Sequence, residues 1–235
     1  MKTDIPLVLL PGLLSDRTTW LDQIETFGER FECIVPTSHF KAPTIAEMAD
    51  VLLGELPERF ALVGWSMGGY IAMEIMKKAP KRVARLALIS TSARDDPPAN
   101  EKERMDSIAL AEEKGPAVAW RSKMGRFFHR PEKLSDTRRQ QLEAMNDRMG
   151  VETYRSQQFA IMRRADNRPV LPTIRCPTIV ICGTHDLWTP PNLSWEIASN
   201  VTGAELHLLA ECSHCSPIED PASVNALLSG WLERE

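Results

Sequence analysis

Residues 64–69 read Gly-Trp-Ser-Met-Gly-Gly and match the pattern Gly-x-Ser-x-Gly. They follow a short apolar run, Phe60 to Val63, and open a segment, Met67 to Ala79, whose apolar residues recur at helical spacing. A serine on a sharp strand-to-helix turn has a strained backbone, so a side chain at either flanking position would collide with the turn. The glycines two positions before and after the serine leave that space free. The sequence therefore predicts that Ser66 lies on a turn between a buried strand and a helix.

Predicted strands and helices alternate along much of the chain, which is typical of a sheet with helices on its faces. The helix that begins near Thr44 has a clear start, because Thr44 and Glu47 form a capping box after Pro43. We therefore predict an α/β fold with a mostly parallel central sheet flanked by helices. The predicted strands are Leu7–Leu10, Cys33–Val35, Phe60–Val63, Val83–Ser90, Thr178–Cys182 and Glu205–Leu209, and the predicted helices are Thr19–Phe27, Thr44–Leu56, Met67–Ala79 and Ala222–Leu232.

From Arg94 onward this alternation stops. The segment opens with a helix-breaking Asp-Asp-Pro-Pro run and then stays polar and helix-prone, without a clear strand. In open parallel sheets, ligands bind at the carboxyl ends of the strands. We therefore predict one core domain, residues 1–93 and 170–235, with residues 94–169 inserted as a helical lid over those strand ends.

Composition argues against several classes of protein. A chain of 235 residues with 43% hydrophobic residues is long enough to bury one large core. Its net charge of -4 argues against a nucleic-acid binder, which normally carries a surplus of lysine and arginine. The first apolar run, Leu7 to Leu10, is far too short for a signal-peptide core or a membrane span. Five cysteines, an odd number in a chain that needs no disulfides, favour reduced thiols in the cytoplasm.

The chain also carries candidates for a base and an acid. A serine hydroxyl is a weak nucleophile at neutral pH and needs a histidine base that a carboxylate orients. Asp186 lies in a loop after the predicted strand Thr178–Cys182, and His214 lies in a loop ahead of the last predicted helix. The order serine, aspartate, histidine is the order expected when the serine occupies such a turn. We therefore predict Ser66, Asp186 and His214 as catalytic residues.

The loop after the first strand offers main-chain donors to the same site. Its sequence, Leu-Pro-Gly-Leu-Leu at residues 10–14, leaves the strand through a glycine turn. Acyl transfer places negative charge on the former carbonyl oxygen, which needs hydrogen-bond donors. We predict that the N–H groups of Leu13 and Met67 form this oxyanion hole.

With these motifs the chain resembles the α/β-hydrolase superfamily, in particular its small cytosolic serine hydrolases with an inserted helical lid. The resemblance covers about residues 5–92 and 172–235. It is carried by the turn at Ser66, by the Gly-x-x-Asp-x-x-x-Pro segment at residues 183–190, and by the loop of His214.

Two positions bear on what the resemblance implies. Many relatives have a histidine where this chain has Pro11, which affects the shape of the first loop. Other members of the superfamily carry an aspartate nucleophile for haloalkane or epoxide opening, whereas here that position is Ser66. The resemblance therefore implies acyl chemistry.

Other residues compete for the roles of acid and base. Asp95 and Asp96 are alternatives to Asp186, because some relatives place the acid one strand earlier. One of the other histidines alternates within a strand, which is typical of a surface residue. The alternatives to His214 are His39, His129, His185 and His207, the last being the one in the strand.

Cys212 and Cys215 form a Cys-x-x-Cys pair around His214. Such a pair can bind zinc or undergo redox chemistry. The sequence has no second pair that would complete a zinc site, and a candidate base lies between the two thiols. Packing is therefore the favoured interpretation.

Between Arg94 and Arg175, basic residues outnumber acidic ones, whereas the remainder of the chain is acidic. This pattern has two interpretations: a solvated helical surface, or a lid that attracts an acidic acyl substrate through residues such as Arg163 and Arg164. Tryptophans that could line an apolar acyl pocket, and could equally be core residues, are Trp20, Trp65, Trp120 and Trp188.

These residues predict a serine hydrolase that cleaves a carboxylic ester through an acyl-enzyme. Thioester, lactone and carbon–carbon bond hydrolysis use the same three side chains and are alternatives, as are hydroxynitrile lysis and, outside enzymes, ligand binding on a hydrolase scaffold. The mechanism needs no metal or organic cofactor. The expected partner is a small ester or acyl compound, and a basic lid would favour an anionic one. We expect no nucleic-acid or membrane partner. The sequence leaves the oligomeric state open.

Overall fold

The computed structural model describes residues 5–234. Within them, six parallel strands form one sheet in the order β2-β1-β3-β4-β5-β6. The strands are β1 (Leu7–Leu10), β2 (Cys33–Ile34), β3 (Phe60–Trp65), β4 (Val83–Ile89), β5 (Thr178–Gly183) and β6 (Glu205–Leu209). The predicted α/β fold with a mostly parallel sheet is therefore confirmed.

Helices pack on both faces of this sheet. The helices of the described residues are α1 (Leu21–Phe27), α2 (Ile45–Glu55), α3 (Met67–Lys78), α4 (Glu101–Lys114), α5 (Pro116–Arg121), α6 (Met124–Phe127), α7 (Asp136–Met162), α8 (Pro191–Asn200), α9 (Ser216–Glu219) and α10 (Pro221–Leu232). Helix α7 is interrupted at Gly150, where φ is 79° and ψ is 162°. Glycine adopts this conformation without the steric cost that a side chain would add.

The ends of several elements differ from the prediction. Strand β3 continues to Trp65, two residues beyond the predicted end, and the helix predicted from Thr19 is a 3-10 turn followed by α1. Helix α8 is not predicted by the sequence pattern, because Pro190 and Pro191 indicate a turn. Proline also fits the first turn of a helix, where its missing N–H costs no hydrogen bond, and this is the role of Pro191.

Alternation along the buried strands divides the core into two layers. In β1, Val8 and Leu10 face the layer that also contains residues of α2, α3 and α8, whereas Leu7 and Leu9 face the layer that contains residues of α1 and α10. All four side chains are fully buried. Strands buried on both faces read as continuous apolar runs, which is why the sequence indicates them clearly.

Helices α4 to α7 lie between β4 and β5 in the chain, and we call them the inserted helices. Their surfaces are largely polar, and each of the longer two buries only a few apolar side chains, such as Ile108 in α4 and Leu142 in α7. Within the described residues, none of the helices has the length and hydrophobicity that a membrane crossing requires.

His39 gives the fold a dependence on pH. It is fully buried, and neither ring nitrogen has a hydrogen-bond partner among residues 5–234. Burial lowers the pKa of His39 from 6.5 to about 4. Below about pH 6.5, His39 binds a proton in the unfolded chain but stays neutral in the folded chain. The free energy of unfolding is therefore highest above pH 6.5 and falls as the pH drops toward 4.

We predict that His39→Leu reduces the loss of unfolding free energy on acidification from about pH 7 to about pH 4 by about 3 kcal/mol. Urea unfolding across this range, followed by circular dichroism, measures the loss. The control is His207→Gln, because His207 is only half-buried. Equal acid sensitivity in wild type and His39→Leu would contradict the prediction.

Candidate active site

Ser66 occupies the turn between β3, which ends at Trp65, and α3, which begins at Met67. Its backbone has φ 53° and ψ -117°, a conformation that non-glycine residues rarely adopt. The neighbouring strand fixes it, because the Ser66 N–H donates to the Ile89 carbonyl at 2.9 Å and its carbonyl accepts from Thr91 Oγ1 at 2.8 Å. The surrounding structure therefore holds the strained turn in place.

The two glycines of the pattern are required by close backbone contacts. A Cβ on Gly64 would lie 2.5 Å from the carbonyl oxygen of Gly68. A Cβ on Gly68 would in turn collide with the carbonyl oxygen of Leu10, at the end of β1. Side chains at either position would separate β1, β3 and α3, so the sequence-based reason for the glycines holds in the fold.

The structure brings the three predicted catalytic side chains together. Oγ of Ser66 lies 2.9 Å from Nε2 of His214. On the other side of the ring, Nδ1 of His214 lies 2.9 Å from Oδ2 of Asp186 and 3.1 Å from Oδ1. Asp186 follows β5, and His214 follows β6. Both loops therefore leave the sheet at the carboxyl edge where Ser66 is also located.

The carboxylate of Asp186 is buried and well supplied with donors. The backbone N–H groups of Trp188 and Thr189 donate to Oδ1 at 2.8 and 2.9 Å, and the Thr189 hydroxyl donates to Oδ2 at 2.8 Å. Burial alone would raise the pKa of Asp186, but His214 and the donors of Thr189 outweigh burial and hold the pKa below its ordinary value. An ionised acceptor fixes the proton of His214 on Nδ1, which leaves Nε2 free to accept from Ser66.

The loop of His214 is held by residues whose role the sequence does not reveal. The indole N–H of Trp65 donates to the His214 carbonyl at 2.9 Å. Glu219 accepts the backbone N–H of Ser213 at 2.7 Å and the backbone N–H of His129 at 2.7 Å. Trp65 and His129 lie far in the chain from the residues they join, so a sequence pattern carries no signal for those two contacts, whereas Glu219 lies six residues after Ser213.

The loop after β1 lies against the turn at Ser66. A Cβ on Gly12 would lie 2.9 Å from the ring of Trp65 and 3.3 Å from Cβ of Ser66. Leu13, the next residue, lines the same cavity as Ser66. Leu14 has a φ of 55°, and its N–H donates to Oε1 of the buried Gln157 in α7 at 2.8 Å. An inserted helix therefore fixes the loop that carries Leu13.

A cavity of about 240 Å³ lies over Ser66 and His214, between the sheet edge and the inserted helices. Three of the four candidate tryptophans line this cavity: Trp65, Trp120 and Trp188. Trp20 does not: it is fully buried in the core layer of α1 and α10, so its assignment to the pocket is corrected. A tryptophan early in a helix packs equally well into a core, and the sequence alone does not distinguish the two positions.

The alternative acids and bases do not take part in this arrangement. Asp96 is buried in ion pairs with Arg104 and Arg164, and Asp95 is exposed. His185 stacks on His129 with ring centroids 3.8 Å apart, away from the serine contact. The partner of Ser66 Oγ is His214.

The cysteines beside His214 are poor candidates for thiolate chemistry. Cys212 and Cys215 are free and buried, and burial raises the pKa of both thiols far above the ordinary value. A protonated thiol is neither a good nucleophile nor a metal ligand. Within the described part of the chain, no group of three or more His, Cys, Asp or Glu side chains is arranged to hold a metal ion.

Several known hydrolases are similar to this chain over most of its length. A curated relative from Yersinia enterocolitica, named a putative carbamate hydrolase RutD, is 25% identical and aligns over 96% of this chain and 86% of its own. An esterase from Thermogutta terrifontis, solved with malate bound, is 27% identical with a TM-score of 0.88 over 99% of this chain and 90% of its own. An enol-lactonase from Burkholderia xenovorans is 25% identical with a TM-score of 0.84 over 99% and 93%.

A family model matches as well: the model of the alpha/beta hydrolase family aligns with residues 7–227. This range includes all six strands, the turn at Ser66 and the loops of Asp186 and His214. The chain therefore belongs to the alpha/beta hydrolase family.

Proposed function

We propose that this protein is a serine hydrolase that cleaves carboxylic esters through an acyl-enzyme. The observation that carries the proposal is the pair of contacts made by one imidazole: Nε2 of His214 lies 2.9 Å from Oγ of Ser66, and Nδ1 lies 2.9 Å from the carboxylate of Asp186. A nucleophile, a base and an ion that orients the base are the parts that acyl transfer requires.

In the proposed reaction, Nε2 of His214 accepts the hydroxyl proton while Oγ of Ser66 attacks the ester carbonyl carbon. Asp186 stabilises the imidazolium that forms. The N–H groups of Leu13 and Met67 donate to the oxyanion, and His214 then gives the proton to the leaving alcohol. Water, activated by the same imidazole, attacks the acyl-enzyme, releases the acid and restores the serine.

Two comparisons favour an ester as the bond that is cleaved. The relatives of at least 25% identity include an esterase and an enol-lactonase, and a lactone is an internal ester. A carbamate is the second candidate substrate, because curated relatives carry the name carbamate hydrolase. The same attack on a carbonyl carbon serves both, so the leaving group and the cavity decide between them.

We also propose that residues 94–169 act as a lid on the core. In support, the cavity is lined on one side by Ser66 and His214 and on the other by side chains of the inserted helices, such as Trp120 and Tyr154. A cover of this kind reduces the contact of the site with bulk water, which strengthens the hydrogen bonds that stabilise the oxyanion.

We predict that Ser66→Ala lowers turnover of short p-nitrophenyl esters at least about 1,000-fold, because the nucleophile is lost. Initial rates and intact-mass analysis after fluorophosphonate treatment measure the effect. Ser156→Ala is the control, since Ser156 lies on α7 outside this cavity. A parallel series of p-nitrophenyl carbamates tests the second candidate. Near-native turnover by folded Ser66→Ala would refute the mechanism.

Asp186→Asn is predicted to lower kcat about 10,000-fold while KM changes little. The amide can donate to Nδ1 and so favours the tautomer with its proton on Nε2, which cannot accept from Ser66. Steady-state kinetics measure kcat and KM separately, and circular dichroism checks that the variant is folded. A loss confined to KM would contradict the role of Asp186 in orienting the base.

Gln157 is proposed as a positioning residue for the oxyanion hole, because it holds the N–H next to Leu13. We predict that Gln157→Ala lowers kcat by about 10- to 100-fold and changes KM little, since a displaced donor weakens binding of the transition state more than that of the substrate. Gln141→Ala, an exposed position on the same helix, is the control. Unchanged kcat in Gln157→Ala would exclude this role.

A further inference from the structure

The side of the cavity that faces Ser66, formed by residues between β4 and β5, is called the cavity roof here. It contains two clusters in which two cations bind one carboxylate. In the first, Arg104 and Arg164 both bind Asp96, at 2.6 and 2.7 Å. In the second, Lys123 and Arg126 both bind Glu103, and all three line the cavity. Each cluster therefore has one positive charge in excess.

The first cluster is occupied in holding the structure. Arg164 donates to the carbonyls of Arg94, Asp95 and Ile161 in addition to Asp96. Arg104 binds both oxygens of the same carboxylate and also Gln158. Burial would raise the pKa of Asp96, but the two arginines outweigh it and hold the pKa below its ordinary value. Few donors are left for a ligand.

In the second cluster, most N–H donors of the two cations remain available to a ligand. Nζ of Lys123 and Nη1 of Arg126 both contact Oε1 of Glu103, at 3.2 and 2.6 Å. An ammonium has three N–H donors and a guanidinium five, so most of their hydrogen-bonding capacity is not used in these two contacts. Both cations also lie over the ring of Trp188, with Nζ 5.0 Å and Cζ 3.8 Å from its centroid.

The second cluster is close to the reacting groups. Trp188 stacks on Phe127 with ring centroids 5.7 Å apart, and Phe127 lies 6.2 Å from the ring of His214. Trp188 is also two residues from Asp186, whose carboxylate accepts its backbone N–H. One short row of rings therefore connects the two cations to the base.

The excess charge has a cost that a ligand could offset. The side chain of Lys123 is only 17% exposed. Burial is the largest cause that holds the pKa of Lys123 below its ordinary value; the neighbouring Arg126 and Arg104 act in the same direction, and Glu103 opposes them. The side chains of Arg126 and Glu103 are 38% and 43% exposed, so it is chiefly the largely buried Lys123 that a further acceptor in the cavity would stabilise.

We propose that Lys123 and Arg126 form a subsite for a carboxylate group of the substrate, so that the preferred ester carries one negative charge. The assignment rests on the proposed function, since the subsite and Ser66 share one cavity. A single carboxylate matches the single excess charge of the cluster. Its two oxygens also match the fork of a guanidinium and one ammonium.

The test compares esters that differ in charge at one end. Monomethyl glutarate and methyl pentanoate place the difference on the acyl side; 4-acetoxybenzoate and 4-acetoxybenzamide place it on the alcohol side. Wild type is expected to favour the anionic member of one pair in kcat/KM. Lys123→Met and Arg126→Met should each reduce that preference at least about tenfold, the value of one charge-assisted hydrogen bond.

Arg163→Met is the matched control. It removes the same charge from the same segment between β4 and β5, but Arg163 is exposed, lies over Phe159 and does not line the cavity of Ser66. The preference should stay within about twofold of wild type in this variant, because screened surface charges contribute little. Lys123→Arg, which keeps the cation, should retain most of the preference and guards against a fold defect in Lys123→Met.

Binding to Ser66→Ala, measured by titration calorimetry with the same four esters, reports on the subsite without turnover. Tighter binding of an anionic ester that is lost in Ser66→Ala/Lys123→Met supports the subsite even if wild type hydrolyses none of the four. Equal binding and equal kcat/KM within both pairs overturns it, while Ser66-dependent turnover of the neutral esters would leave the proposed hydrolase function intact. A preference that Arg163→Met reduces as much as Lys123→Met also overturns it.

Discussion

The close approach of β1, β3 and α3 around Ser66 is the constraint on which the rest of the site depends. Two glycines allow the backbones to touch, and the neighbouring strand β4 holds the serine in a conformation with positive φ. The helix that follows buries nearly all of its side chains in the core, so the turn cannot relax without disturbing that layer. The packing of this layer therefore stabilises the strained backbone of Ser66, whose hydroxyl lies within hydrogen-bond distance of His214.

The inserted helices hold two loops of the site in place. In α7, Gln157 fixes the loop of Leu13, and Arg148 binds Asp16 in the same loop at 2.6 Å. Near α6, the backbone carbonyl of Phe127 accepts the N–H of Cys215, next to the base. Displacing these helices would therefore alter both the loop of Leu13 and the loop of His214, so the geometry around Ser66 depends on where the inserted helices lie.

Much of the fold and the local part of the site could be predicted from the sequence. Buried parallel strands read as apolar runs, and the turn at Ser66 needs glycines at fixed spacing, so both leave short-range patterns. Helix α8 could not be predicted, since proline is equally at home in a turn and in a first helical turn. Nor could the cavity roof, because its ion pairs join residues such as Glu103 and Lys123 that no local pattern connects.

The basic residues between Arg94 and Arg175 differ in their surroundings. Arg163 and Arg164 are adjacent in sequence, yet the first is exposed and the second is buried in a structural ion pair. The cations whose N–H donors are mostly available to a ligand are instead Lys123 and Arg126, and both lie over the indole ring of Trp188. Solvated charges contribute little to selectivity, whereas charges in a small, partly dry cavity act strongly on a substrate. In the proposed subsite, substrate choice depends on which lysines and arginines the fold places beside the cavity, and a count of charges along the chain does not reveal them.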